Sequence, residues 1–226
     1  MSKTRVLTVP IVCAVLGGSL LSAEDFSNYR GLQFGMNLAA AAKRAGTKSE
    51  ARIVHERPAV IQEMYWHPGP SGLADVAKAD PVKEALLCFF NGELFRIVVT
   101  YDRDKIEGMT AEDMVEAISL TYGAATRRKF EIAYHSNYAE VARVIARWEG
   151  SEYSYDLVRT GDQSSFAMVL YSKRLDALAQ ASIVEAVRLE AQEAPQREIE
   201  KEMKRENEER LVLEKARSVN RPNFRP

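Results

Sequence analysis

Between Leu86 and Asp102 two β-rich runs meet at Asn91-Gly92. A two-residue type I′ turn favours that dipeptide, because both of its central residues need positive φ. The hairpin fixes an antiparallel pairing and therefore which side chains share a face. On the returning strand Phe95, Ile97, Val99 and Tyr101 fall on one side, and Arg96, Val98 and Thr100 on the other. This pattern predicts an antiparallel sheet buried mainly on one face. A greasy face needs a cover, and the rest of the chain supplies helices.

Two stretches carry the same order of signals. Gly35-Met36-Asn37 precedes LAAAAKRAG, and Gly108-Met109-Thr110 precedes AEDMVEAISLTYG. Each has a glycine–methionine corner, an N-cap residue, an apolar stripe and a closing glycine (Gly46, Gly123). Thr110 with Asp113 has the spacing of a capping box. Leu38, Ala41, Ala42 and Ala45 share one helical face, as do Met114, Ala117, Ile118 and Thr121. Each helix is followed by β-like sequence: Ala59 to Trp66 and the Asn91 hairpin after the first, Val141 to Arg147 and a hairpin from Tyr153 to Tyr171 after the second. Arg127-Arg128-Lys129 reads as a solvated loop. The expected fold class is α+β: an antiparallel sheet with two short helices on one face, in a tandem helix–strand–hairpin repeat, plus a long charged C-terminal helix.

The expected organisation is a first α+β unit over 24–104, a second over 105–174, a helical extension over 175–217 and a disordered tail over 218–226. In the extension Leu175, Leu178, Ala179, Ile183 and Ala186 keep helical spacing, and then charge takes over. Glu193/Arg197, Glu200/Lys204 and Glu206/Arg210 stand four apart and support a solvated helix. Pro195 is expected to kink or split it. Its sparse apolar residues do not make a heptad coiled coil, and the sharper reading of this segment is a partner-binding arm.

Residues 1–23 read as a secretory signal peptide: Lys3 and Arg5, an uncharged apolar run from Val6, then small residues up to Ala23. The expected location is secreted or periplasmic, with no stable membrane span after cleavage. Removal also takes Cys13, whose preceding Ile11-Val12 does not make a lipobox. Cys88, in an apolar strand, reads as a small buried hydrophobe.

The composition excludes several functions. With 46% hydrophobic residues the chain is not disordered, and Lys+Arg 31 against Asp+Glu 32 marks no nucleic-acid partner. His55, His67 and His135 fall in no metal-binding spacing, and no phosphate loop or nucleophile elbow is present. No metal, cofactor or catalytic residue is therefore expected, and Glu112/Asp113 reads as helix N-terminal stabilisation. The candidate binding residues are two aromatic clusters beside irregular segments: Tyr65, Trp66 and His67, and Trp148, Tyr153 and Tyr155. Adjacent strand residues face opposite ways, so Tyr65 and Trp66 cannot both enter one core.

The two Gly-Met corners, with their helices and closing glycines, resemble the BamE-type outer-membrane assembly lipoproteins and the tandem-repeat β-lactamase-inhibitor proteins. The resemblance covers roughly residues 31–172 as a pattern. It implies exported helices on an antiparallel sheet that bind other proteins without catalysis. The chain departs from it in lacking the lipobox cysteine of the first group and the internal disulfides of the second. The function expected is an exported, non-enzymatic module that binds a protein or envelope component. The alternatives are a periplasmic small-ligand carrier and a hydrolase with dispersed catalytic residues.

Overall fold

The computed structural model describes residues 25–48, 50–68, 80–131, 143–160, 165–223 and 225. The expected signal peptide, Cys13, His135, the long loop after His67 for the most part, and the Gly161 turn lie outside these residues.

The chain is α+β. A small hairpin pairs β1 (Asn28–Tyr29) with β2 (Leu32–Gln33) across Arg30-Gly31, both at positive φ. Then come α1 (Leu38–Ala45), β3 (Arg52–His55), β4 (Ile61–Trp66), β5 (Val82–Phe90), β6 (Glu93–Tyr101) and a 3-10 turn (Arg103–Lys105). The second half holds α2 (Ala111–Tyr122), β7 (Arg127–Glu131), β8 (Arg143–Glu149), β9 (Tyr153–Thr160), β10 (Ser165–Ser172) and α3 (Lys173–Asn223). Strands β3 to β10 form one eight-stranded sheet in the order β3-β4-β5-β6-β10-β9-β8-β7. Every neighbouring pair is antiparallel.

Each unit is thus a helix followed by a four-stranded meander. The last strands of the two meanders meet at the centre, with Met168 opposite Val99 and Leu170 opposite Ile97. An antiparallel pairing of equivalent strands relates the units by an approximate two-fold axis normal to the sheet, which keeps both helices on one face. That inner face holds the main core. Ala41 and Ala42 of α1 and Met114 and Ile118 of α2 are buried against Leu87, Phe89, Ile97, Val99, Met168 and Leu170.

The turns form as the sequence dictates. Asn91 (φ 49) and Gly92 (φ 86) both take the left-handed region that a type I′ turn requires. The corner glycines match each other, Gly35 at φ 83 and Gly108 at φ 78. The first corner is stitched to the hairpin. Gly35 N–H donates to the Leu94 carbonyl (2.8 Å), and Leu94 N–H to that of Met36 (2.9 Å). Asn37 Oδ1 accepts from Ala40 N–H at 2.9 Å. Thr110 and Asp113 close a full capping box.

Several expectations are corrected. Each unit has one strand more than expected, β3 and β7. Both are short sheet edges, and Arg127-Arg128-Lys129 belongs to β7, not to a loop. Basic residues on an edge strand discourage pairing with other chains. The sheet is buried on both faces: Ile61, Cys88 and Phe95 pack under Leu175 and Ala179 of α3, and Val144, Val158, Ala167 and Val169 form a further outer cluster. Phe95 joins that outer side because of a β-bulge. Pairing shifts between Cys88/Arg96 and Phe89/Leu94, leaving Phe95 as the extra residue. On α2 the buried residues are Met114 and Ile118, while Ala117 and Thr121 face solvent. Pro195 does not split α3, which runs unbroken through it to Asn223, past the expected helix end and into the expected tail. Near the proline, Arg197 Nη2 donates to the Glu190 carbonyl (2.9 Å).

Candidate functional site: a tethered helix and its free arm

The six aromatic and histidine candidates do not form one surface. Tyr65 projects from the outer face, 49% exposed, with its ring 6.5 Å from that of His67. His67 Nε2 lies 3.4 Å from Glu84 Oε2. Trp66, one residue on, turns to the inner core and is half-buried. Trp148 and Tyr155 are fully buried. The Trp148 indole N–H donates to the Gly123 carbonyl (2.9 Å), closing the end of α2 against β8. The Tyr155 hydroxyl donates to the Asn28 carbonyl (3.0 Å), and burial raises its pKa above the ordinary phenol range. Tyr153 is half-buried and stacks on Phe34 at 5.5 Å. Strands β4 and β8 are five steps apart in the sheet, about 24 Å. Trp148 and Tyr155 therefore serve as core in this fold, and of the six only Tyr65 and His67 stand exposed.

The outer face carries a second set of groups, whose pairing the sequence does not announce. Arg147 and Asp156 are direct cross-strand neighbours on β8 and β9. The guanidinium makes two bonds to the carboxylate, 2.5 and 2.6 Å, at a site where the Asp156 side chain is 0% exposed. The Tyr171 hydroxyl reaches the same carboxylate at 3.5 Å. Beside them Arg96 Nε donates to Asp176 Oδ1 at 2.8 Å. Burial raises the Asp176 carboxyl above its ordinary pKa, outweighing the Arg96 charge, and the nearby Asp156 charge pushes the same way. One α-helix thus starts over a buried patch of two arginine–aspartate pairs. Such pairs fix geometry more than they add stability, because their desolvation offsets most of the attraction.

These contacts tether α3. Lys173 Nζ donates to Glu149 Oε2 (2.7 Å) and to the Gly150 carbonyl (2.8 Å). Asp176 adds its pair to Arg96, and Leu175, Ala179 and Ala186 are buried. At the β3 edge His55 Nδ1 lies 3.1 Å from Glu190 Oε1, and Arg57 Nη2 donates to Glu193 Oε2 (2.8 Å). The helix therefore crosses from the centre of the sheet to the β3 edge.

Beyond Glu193 no further tether to the body is found among the described residues. From Ala194 to Asn223 every residue is exposed, a free arm of about 45 Å. Ile199, Met203 and Leu213 are 61%, 64% and 68% exposed, and Leu211, Val212 and Val219 also stand in solvent. Pairs such as Lys204–Glu208 (3.9 Å) and Arg205–Glu202 (2.9 Å) support the helix along its length. Among the described residues no helix is long and apolar enough to cross a membrane.

A concavity of about 760 Å³ lies beside α2 and is lined by Val115, Glu116, Ser119, Leu120 and Ile145 among others. No protein-family model matches the chain, and neither a curated protein nor a solved structure is significantly similar to it. Among the described residues no three His, Cys, Asp or Glu side chains are placed to hold a metal ion. Cys88 is buried, and its thiol is pushed up to about 12 by burial, so it is a packing residue in this state.

Proposed function

We propose that this chain is an exported, non-enzymatic protein-binding module of the cell envelope that engages its partner through the free arm of α3. One observation carries the reading: the sheet tethers α3 only as far as Glu193, and the helix then presents Ile199, Met203, Leu211, Val212, Leu213 and Val219 to solvent. Exposed apolar side chains on a segment that buries none of its described residues against its own domain are characteristic of contact surfaces. The ion pairs under the first half of α3 support the same reading, since they set the direction in which the arm leaves the body.

The test is photo-cross-linking in intact cells, with a photoreactive residue at Val212 in the full-length chain. A discrete adduct is expected, and the same probe at exposed Leu120 on α2 should not give it. No adduct from the arm, or the same adduct from both positions, would overturn the proposal. Cell fractionation tests export directly, with recovery in the cytosol as the contrary result.

A further inference from the structure

We infer that the arm's partner is a second copy of this chain, paired antiparallel along one seam of α3; this rests on the arm being the contact surface. Steps of three and four residues place Ile199, Met203, Glu206, Arg210, Leu213 and Arg217 on one side of the helix. All six are exposed. Leu211, Val212 and Val219 lie on the opposite side of the helix. Met203, Lys204, Glu206, Asn207 and Arg210 line a surface hollow. Four of these stand at i, i+3, i+4 and i+7, the frame into which a side chain of a facing helix inserts.

The order of residues along the seam selects the orientation. In an antiparallel pair centred near residue 208, Met203 faces Leu213 of the second copy, Glu206 faces Arg210, and Ile199 faces Arg217. The seam is then doubly ion-paired in the middle, with a Met203–Leu213 contact on either side of the ion pairs. A parallel, in-register pair would instead set Glu206 against Glu206 and Arg210 against Arg210, and like charges directly opposed are destabilising. The flanking charge agrees. Residues 190–207 hold six acidic and four basic side chains, and residues 209–226 two acidic and five basic, so antiparallel arms lay net negative along net positive. The contact is isologous and closes at two copies. It holds the two bodies at opposite ends, their Glu193 tethers separated by about 45 Å along the pair.

Sedimentation equilibrium of the purified full chain tests the association, and cysteine pairing tests its direction. A concentration-dependent dimer is expected. Glu206→Arg should raise its dissociation constant at least tenfold, and adding Arg210→Glu should restore it, because the exchanged pair still faces an opposite charge. In a Cys13→Ser background, Met203→Cys with Leu213→Cys should oxidise to a covalent dimer, and Met203→Cys alone should not. A monomer at all concentrations, no rescue by the exchanged pair, or cross-linking through Met203→Cys alone would overturn the inference. The underlying reading fails separately: a monomer whose arm still cross-links to a different protein in cells refutes only self-pairing, and an arm that yields no adduct refutes the reading itself.

Discussion

Gly92 offers the sharpest check on the sheet. Its φ of 86 lies in the left-handed region, and an added Cβ would meet nothing within 4 Å. Substitution there therefore has no steric clash to relieve, and the whole cost is backbone. Holding an L-residue in that region costs roughly 1–2 kcal/mol, and loss of glycine's freedom in the unfolded chain offsets about 0.4–1 kcal/mol. Gly92→Ala should thus destabilise by about 1 kcal/mol, and Gly92→Val, stiff at χ1, by about 2 kcal/mol. For a chain of this size each kcal/mol lowers Tm by about 2–4 °C. The turn also supports the neighbouring loop, since Asn91 N–H donates to the Val60 carbonyl (2.8 Å) and Asn91 Oδ1 accepts from Val60 N–H (3.0 Å). Urea unfolding should show the midpoint falling in the order glycine, alanine, valine, with an unchanged slope. Equal midpoints for all three would refute the type I′ assignment and the register built on it.

Three further outcomes are expected. Among the described residues, deleting 196–226 removes only exposed side chains, so Tm should stay within about 2 °C with cooperativity kept; a broad or strongly shifted transition would show that the arm packs on the body. Asp176 is raised above its unfolded value of 3.8, so its contribution to stability is fully present below that pH and is lost as pH rises through the folded value. The stability of Asp176→Asn relative to the parent should accordingly increase as pH climbs from the acid range to neutrality, and a fall over that range in urea titrations would contradict the burial argument. Cys88, pushed up to about 12, should resist iodoacetamide at pH 8 in the native state and react once the chain is unfolded in urea, as mass spectrometry would show.

What the sequence reveals here is mostly local. Asn91-Gly92, the caps at Asn37 and Thr110, and the two corner glycines each depend on neighbours within a few residues, so turn chemistry and helix periodicity suffice to place them. The misses are of another kind. Strand β3, only Arg52–His55, is too short and too polar to declare itself, and β7 opens with three basic residues, a composition that reads as loop. The bulge that turns Phe95 outward follows from how β6 registers on β5, which no single-strand pattern encodes. Pro195 is tolerated because it lies on the solvated side of the tethers, where no packed neighbour opposes a local adjustment. The outer charged patch joins Arg96 to Asp176 across 80 residues, and Trp148 and Tyr155 enter the core through the fold of the second meander. Of the candidate site, strand alternation made legible that Tyr65 and Trp66 face opposite ways, but not which of them faces outward; the free arm was legible as a charged helix, but its unbroken course was not.

The central β6–β10 pairing has a consequence for how such a chain can arise. A polypeptide with only one unit would end on the strand that here meets its counterpart, leaving that border open. It could complete the same eight-stranded sheet by binding a duplicate of itself. Joining the two units in tandem makes that association permanent and independent of concentration. It also breaks the equivalence of the halves, because only the second unit's final strand is free to continue into a helix, and that single continuation folds back over the first unit.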